Sequence, residues 1–171
     1  MIDCGACPSD VYDYIIFYRW LSPDGMYERG RVMARLVTEM MKTKSRRVWL
    51  DQLEMQRTMP PDEVIGRIAD TFLWVSQVII LAAPGDWHRF ADPNDIHRWE
   101  WELSLRSDKK IWLLQYGLPD GMEPLSEREI VTNLQDYYPH LAELASKKRI
   151  QARVLTMDNI DGTLREIAEG Q

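Results

Sequence analysis

Short apolar runs alternate with longer segments of helical periodicity along the whole chain. Runs rich in β-branched and aromatic residues, bounded by turn-forming residues, predict strands. Five such runs occur, at 12–18, 46–51, 77–82, 110–115 and 150–156. The run "QVIILA" at 77–82 is apolar on both faces. This is typical of a central parallel strand that is covered on both sides.

Between these runs, apolar residues recur three and four positions apart, as on one face of a helix. Over 26–42 they form two adjacent columns. The first is Val32, Leu36 and Met40, and the second is Met33, Val37 and Met41. Four further helices are predicted from residues typical of helix starts, namely Pro61 in a first turn, Asn94 as an N-cap, the capping box Ser126–Glu129, and Pro139. A closing helix is predicted over 162–170.

This alternation predicts an α/β fold, a flavodoxin-like three-layer sandwich with a five-stranded parallel sheet. The prediction is a single domain over 10–171 that follows a flexible tail over 1–9. Ligands of such sheets bind at the carboxyl ends of the strands. The candidate site segments are therefore 19–24, 51–61, 83–95 and 116–125.

Composition narrows the function classes. The 171 residues carry a net charge of −6, which argues against a large nucleic-acid surface. No apolar run is long enough to cross a bilayer, and no signal peptide is visible, so we expect a cytoplasmic protein with no membrane partner.

Cys4 and Cys7 in "CGAC" fit half a metal site or a redox pair. At this position we expect a mobile reduced tail and no metal.

Two glutamates in "HRWEWELSLR" (97–106) are candidates for chemistry. Glu100 follows Ile96 by four and precedes Leu103 by three, so it borders the apolar stripe of the predicted helix. Glu102 lies four residues from both Arg98 and Arg106, which predicts a solvated ladder of ion pairs. A carboxyl beside apolar rings should have a raised pKa and marks a candidate site. The same position also suits a carboxylate at the edge of the stripe that reaches water.

Several nucleotide-binding and catalytic signatures are missing from the sequence. It contains no Walker-type phosphate loop, no GxGxxG and no nucleophile elbow. The ends of the first and third predicted strands read "FYRW" and "LAAP". Neither end has the acidic residues of a response-regulator receiver, nor the phosphate loop of a flavodoxin.

Four segments, taken in order, resemble a Toll/interleukin-1 receptor (TIR) domain of the bacterial type. They are "YDYIIFYRW" (12–20), "RRVWLDQ" (46–52), "IADTFLWVSQVIILAAP" (68–84) and "EWELSLRSDKKIWLLQ" (100–115). The first is similar to the aromatic–Asp strand that ends in Tyr-Arg, and the second leads into the long BB loop. The last is similar to the family's glutamate helix, and alignment on Ser104-Leu105 puts the family's glutamate at Glu100.

The resemblance implies an enzyme that cleaves NAD+ at the nicotinamide–ribose bond, giving ADP-ribose or a cyclic ADP-ribose signal. Glu100 would be catalytic. Tyr18, Arg19, Trp49 and Ser76 would bind the substrate, with Trp49 holding a ring and Arg19 meeting the pyrophosphate. NAD+ would be a substrate, and no cofactor is implied.

The resemblance also implies self-association or a partner TIR protein through the loop that carries Leu53 and Met55, in a setting of immune, anti-phage defence. Apolar residues on an isolated loop usually mark a contact surface. Two alternatives stay open, namely a non-enzymatic TIR adaptor that acts through TIR–TIR contacts and a nucleotide-binding module without turnover.

Overall fold

A five-stranded parallel sheet forms the centre of the protein. The computed structural model describes residues 12–20, 29–51 and 59–170. The strands are β1 (Tyr14–Phe17), β2 (Val48–Trp49), β3 (Gln77–Ala82), β4 (Lys110–Gln115) and β5 (Ile150–Val154). They are all parallel and lie in the order β2-β1-β3-β4-β5. The predicted five-stranded parallel sheet is confirmed, and β3 is buried at every position.

Six α-helices that lie wholly within the described residues connect and cover the strands. They are α1 (Arg29–Thr43), α2 (Pro61–Trp74), α3 (Ile96–Arg106), α4 (Glu127–Tyr137), α5 (Pro139–Ser146) and α6 (Ile160–Glu169), and a 3-10 helix spans Asp86–Arg89. The capping box at the start of α4 is confirmed, since Glu129 N–H donates to Ser126 Oγ at 3.3 Å and Ser126 N–H donates to Glu129 Oε2 at 2.7 Å. None of the helices in these ranges combines the length and apolar character that a bilayer-spanning segment needs.

The helices cover both faces of the sheet. Alternate strand residues such as Phe17 and Ile80 pack with α2, α3, α4 and α5 in one apolar cluster. Their neighbours Ile16 and Ile79 point to the other face and pack with α1 and α6. This arrangement is the predicted three-layer flavodoxin-like sandwich.

Helix α1 faces the sheet with smaller residues than the sequence pattern predicted. Its buried positions are Gly30, Ala34, Val37, Thr38 and Met41, whereas Val32 is 69% exposed. The expected column is therefore wrong at Val32, whereas Leu36 and Met40 are partly buried and pack against the core cluster as predicted. The start of α1 comes close to the end of β1, since a Cβ built on Gly30 would overlap the carbonyl oxygen of Arg19. The predicted helix start at residue 26 and the tail over 1–9 lie outside the described residues.

The two strands at the edges of the sheet are shorter than the apolar runs that predicted them. β2 pairs with β1 only through Tyr14–Val48 and Ile15–Trp49. β5 ends at Val154, which pairs with the last residue of β4. The flanking apolar residues Leu50 and Leu155 are buried in the core without being strand residues. Burial therefore continues past the point where strand pairing ends.

Candidate functional site

A cleft opens at the carboxyl end of β1, against the first turn of α3. It holds about 620 Å³, solvent at its mouth included. It is lined by Tyr18, Arg19, Trp20, Arg89, Asn94, Asp95, Ile96, His97 and Glu100. Of the segments that the sequence marked as candidates, 19–24 and 83–95 reach the cleft within their described residues. The described residues of 51–61 and of 116–125 do not line it.

The N-terminus of α3 is capped by Asp95, and the predicted cap Asn94 is wrong. The Asp95 side chain accepts a hydrogen bond from the Arg98 backbone N–H, as an N-cap carboxylate should. The cap moves by one residue because the carboxylate of Asp95 also binds the buried guanidinium of Arg19.

The buried face of α3 carries Glu100 together with His97, Trp101, Ser104 and Leu105. Glu100 is only 5% exposed, whereas Ile96 is 39% exposed. The prediction that Ile96 lies on the inward-facing stripe of the helix is therefore wrong. The sequence placed Glu100 at the border of this face, whereas the structure places it within the face.

Glu102 lies on the outer side of the same helix. Its carboxylate is 2.9 Å from Arg106 Nη2 and 3.5 Å from His140 Nε2. The predicted ladder of Arg98, Glu102 and Arg106 is wrong at Arg98. Its guanidinium instead donates to the carbonyl of Phe90 at 2.9 Å and lies over the Tyr138 ring at 4.0 Å.

A buried chain of hydrogen bonds ends on Glu100. Trp101 Nε1–H donates to His97 Nε2 at 3.3 Å, and His97 Nδ1 lies 2.9 Å from Glu100 Oε2. Since Nε2 is an acceptor here, a neutral His97 carries its proton on Nδ1 and donates it to Glu100. Oε1 of Glu100 makes no hydrogen bond within the described ranges, and among their fully enclosed polar side-chain atoms only Arg19 Nε lacks a partner. Oε1 is therefore not enclosed and opens on the cleft.

Burial controls the protonation of both side chains. Desolvation raises the pKa of Glu100 well above its ordinary value, and the charges of Asp51 and Asp95 add to the effect while Arg19 opposes it. Desolvation lowers the pKa of His97 well below its ordinary value, and the charge of Arg19 acts in the same direction. His97 is therefore neutral at physiological pH, in agreement with the hydrogen-bond pattern.

Aromatic rings from the loop between β3 and α3 shield this pair. Phe90 packs against His97 with ring centroids 6.0 Å apart, and against Trp101 at 5.9 Å. Trp87 packs edge-on against Trp101 at 5.8 Å. The two rings thus cover His97 and Trp101, the neighbours of Glu100 on the buried face of α3.

Arg19 is buried and held by two acidic residues. Its Nη1 and Nη2 each lie 2.8 Å from an oxygen of Asp95, and Nη2 also donates to the Asp86 carbonyl at 2.6 Å. The Asp86 carboxylate lies 4.0 Å from Nε and accepts the Ala83 N–H at 2.8 Å. The terminal nitrogens that were expected to meet a pyrophosphate are thus already bonded within the protein.

Tyr18 lines the cleft at the end of β1, as the sequence predicted. Its hydroxyl donates to Asp51 at 2.6 Å, and Asp51 is itself 5% exposed. The two residues connect the ends of β1 and β2 beside the glutamate.

The other predicted site residues are elsewhere. Trp49 is 5% exposed and packs in the core cluster on the α2 side of the sheet. Ser76 precedes β3 and contacts the backbone oxygen of Asp13 at 3.5 Å, so it lies at the amino end of the sheet. The structure does not bring either residue to the cleft. Leu53 and Met55 lie outside the described residues.

Trp20, Arg89 and His97 were not named as site residues from the sequence, although Trp20 and Arg89 lie in the candidate segments 19–24 and 83–95. Trp20 is 47% exposed at the mouth, Arg89 is exposed beside it, and His97 lies within the wall. The signal for His97 was its spacing, three residues before Glu100 on one helix. Arg89 makes no side-chain hydrogen bond or ion pair with any described residue, so its charge is available to a ligand.

The cleft therefore combines one buried carboxyl with an open oxygen, an exposed indole and an exposed guanidinium. Such a set suits a ligand that carries a cationic centre, an aromatic ring and a phosphate. Within the described part of the chain, no group of three or more His, Cys, Asp or Glu side chains could hold a metal ion.

Comparison with known proteins agrees with the fold. No protein-family model and no curated protein matches the sequence. Among solved structures, the chain is similar to a metazoan TIR-STING receptor from C. gigas, determined in complex with 2',3'-cGAMP, with a TM-score of 0.56 and 14% sequence identity. The likeness covers 93% of this chain and 40% of that chain. The protein thus has the α/β fold of a TIR domain and spans less than half the length of that receptor.

Proposed function

We propose that this protein cleaves NAD+ at the bond between nicotinamide and ribose. The observation that carries the proposal is the buried Glu100, which holds one carboxylate oxygen toward an open cleft of a TIR fold. The resemblance of 100–115 to the family's glutamate helix and the burial of Glu100 on α3 point to the same residue.

The reaction needs few groups because the leaving nicotinamide is a pyridinium. When the bond between the ribose C1′ and the pyridinium nitrogen breaks, both electrons stay on the nitrogen. Nicotinamide therefore departs as a neutral molecule, and no general acid is needed. The ribose is left as an oxocarbenium ion, as in glycoside hydrolysis. Water then adds and loses a proton to give ADP-ribose, or a nitrogen of the adenine adds to give a cyclic product. The anion of Glu100 would stabilise the cationic centre, and electrostatic stabilisation of this kind often contributes most to the rate of an enzyme.

Residues at the mouth would seat the rest of the substrate. The exposed Trp20 ring would stack on the nicotinamide or the adenine. Arg89 would pair with the pyrophosphate, in place of Arg19, because the Arg19 guanidinium is already bonded to Asp95. Tyr18 would line the ribose side of the cleft, where its hydroxyl is fixed by Asp51.

A second candidate function is that of a TIR adaptor without turnover. It is favoured by the exposed apolar residues of α2, since Leu73 is 71% exposed, Trp74 48% and Ile65 36%. Exposed apolar side chains grouped on one helix usually mark a protein contact. An adaptor has no need of a buried carboxyl in a cleft, so Glu100 discriminates between the two functions.

The test is to incubate the purified protein with NAD+ and to resolve nicotinamide, ADP-ribose and cyclic products by chromatography. Glu100→Gln should lower the rate by at least about 100-fold, because the carboxylate charge is lost in a desolvated site. The matched control Glu102→Gln, on the outer side of the same helix, should keep the wild-type rate. Equal rates in the two variants would remove Glu100 from the mechanism, and an inactive wild type at high protein concentration would favour the adaptor.

A further inference from the structure

We infer that His97 is the positioning residue of Glu100: its neutral imidazole, held in the Nδ1–H tautomer by the Trp101 indole, fixes Oε2 and leaves Oε1 to face the cleft. Only the kinetic consequence of this arrangement rests on the proposed function. The hydrogen-bond chain itself is a property of the resting protein and is testable without a substrate.

The tautomer follows from the chemistry of the indole. Trp101 Nε1–H is a donor only, so the His97 nitrogen that it contacts at 3.3 Å must offer a lone pair. A neutral imidazole has one N–H, which then sits on Nδ1, 2.9 Å from Glu100 Oε2. With the opposite tautomer, two N–H groups would meet at Nε2 and a lone pair would face the carboxylate. The indole therefore acts on Glu100 through the histidine.

The three residues are placed by one helix. His97, Glu100 and Trp101 are three and four residues apart on the buried face of α3, so their side chains meet without any contribution from a loop. Phe90 covers the imidazole from the other side. His97 is only 4% exposed, so its ring nitrogens are bonded within the protein.

A neutral donor suits a carboxylate that must stabilise a cation. An imidazolium would cancel the charge of Glu100, whereas a neutral N–H orients the carboxylate and leaves it the full negative charge. The other charged groups that face Glu100 are Asp51 at the end of β2, Asp95 at the start of α3 and Arg19 at the end of β1. The charge of Arg19 favours the ionised form of Glu100 from a distance, and the hydrogen bond donated by His97 favours it by direct contact.

A histidine that only fills the core would predict different behaviour. Its replacement would lower stability and leave the titration of Glu100 unchanged. If His97 positions Glu100, the Glu100 carboxyl group should ionise at higher pH once the Nδ1–H donor is removed. The buried carboxylate then lacks the hydrogen bond that favours its charged form.

The first arm of the experiment uses NMR on the wild-type protein without substrate. Nitrogen-15 shifts of His97 should show a protonated Nδ1 and an unprotonated Nε2 at pH 7. In Trp101→Phe, which keeps an aromatic ring but lacks the N–H, a fraction of the Nε2–H tautomer should appear. A wild-type imidazolium, or a dominant Nε2–H tautomer, would overturn the inference.

The second arm follows the Glu100 carboxyl carbon through a pH titration in four proteins. In His97→Ala the midpoint should move to higher pH, and in His97→Asn, whose amide N–H can replace Nδ1–H, it should return toward the wild-type value. His140→Ala removes the exposed histidine beside Glu102 and should leave the Glu100 titration unchanged. The same midpoint in His97→Ala and wild type would overturn the inference. If the alanine variant does not fold, His97→Leu, which fills more of the space and also lacks a donor, takes its place with the same expected shift.

The kinetic arm applies the same variants to NAD+ cleavage. At pH 7, kcat of His97→Ala should fall by about 10- to 100-fold, the usual effect of removing a residue that orients a reacting group. KM should stay within about twofold, and the acidic limb of the kcat profile should move to higher pH. An unchanged profile would refute the positioning role. An inactive wild type would refute the proposed function alone, since the titration arm still decides the inference.

Discussion

Arg19 and Asp95 form a buried, bidentate ion pair, with Nη1 and Nη2 each 2.8 Å from a carboxylate oxygen. Asp95 also caps α3 through the Arg98 N–H. One carboxylate therefore joins the end of β1 to the helix that carries Glu100. The pair thus fixes the start of α3 against the end of β1, where the cleft opens.

Arg19→Gln should destabilise the fold by about 3–5 kcal/mol, because it leaves Asp95 buried with an unpaired charge. The free energy of unfolding can be measured by urea denaturation. The matched control is Arg165→Gln, which breaks the exposed pair of Arg165 with Asp161 at 2.9 Å and should leave stability unchanged within error. A variant of Arg19 with normal stability and a selectively raised KM for NAD+ would show instead that Arg19 binds the substrate.

Gly30 and Gly66 offer a second matched pair, since both lie inside helices. A Cβ at Gly30 would overlap the Arg19 carbonyl oxygen, whereas a Cβ at Gly66 has nothing within 4 Å. Gly30→Ala should therefore force α1 away from β1 and lower the free energy of unfolding by about 1–3 kcal/mol or more. Gly66→Ala should raise it by about 0.5–1 kcal/mol through helix propensity. Thermal or urea unfolding measures both, and equal effects would contradict the close approach of α1.

Asp86 should make stability depend on pH. Burial raises its pKa to about 6, against the opposing effects of the Ala83 N–H and Arg19. The folded state then holds its proton up to higher pH than the unfolded state, so stability falls as pH rises from about 4 to 6 and is level above. The loss from this carboxyl is roughly 3 kcal/mol. Glu100, whose pKa is also raised by burial, contributes a slope of the same sign.

Asp86→Asn isolates this contribution, because the amide oxygen can still accept the Ala83 N–H. The variant should show a smaller fall in the free energy of unfolding between pH 4 and 7 than the wild type, measured by urea denaturation at each pH. Asp70→Asn, on the exposed side of α2, is the control and should keep the wild-type slope. A slope that is unchanged in Asp86→Asn would show that Asp86 ionises as freely in the folded protein as in the unfolded chain.

Arg89→Gln should weaken binding of the pyrophosphate without affecting the fold. An exposed arginine paired with phosphate is worth on the order of 1 kcal/mol, so KM for NAD+ should rise about fivefold. Nicotinamide riboside has no pyrophosphate and should be cleaved equally by variant and wild type. Arg67→Gln, on the exposed side of α2, serves as the control for a lost surface charge. An equal effect on both substrates would mean that Arg89 does not contact the phosphates.

Assembly through the loop after β2 stays a prediction, because residues 52–58 lie outside the described residues. If TIR–TIR contact completes the cleft, NAD+ cleavage should rise more steeply than linearly with protein concentration. Leu53→Asp and Met55→Asp should abolish that rise, since a charge in a desolvated contact is unfavourable. Specific activity that stays constant over a hundredfold dilution, measured by release of nicotinamide, would argue against assembly.

The sequence alone determined the order and type of the secondary structure elements. The strands β3 and β4 were predicted to the residue, because a buried parallel strand is apolar on both faces and an isolated apolar run of six residues is too short for a helix. The capping box of α4 and the prolines at the starts of α2 and α5 were equally clear, since each satisfies or tolerates the free N–H groups of a first turn. Local chemistry suffices for such features.

The tertiary structure decided the partners of each polar side chain. Helical spacing selected Glu100 over Glu102, yet the rings of Trp87 and Phe90 that pack on its neighbours His97 and Trp101 come from a loop with no periodicity to interpret. Arg19 and Trp49 looked equally available at strand ends, but one is neutralised by Asp95 and the other is enclosed in the core. Whether a side chain faces a ligand depends on what lies opposite it in space, and sequence spacing within one element carries no record of that.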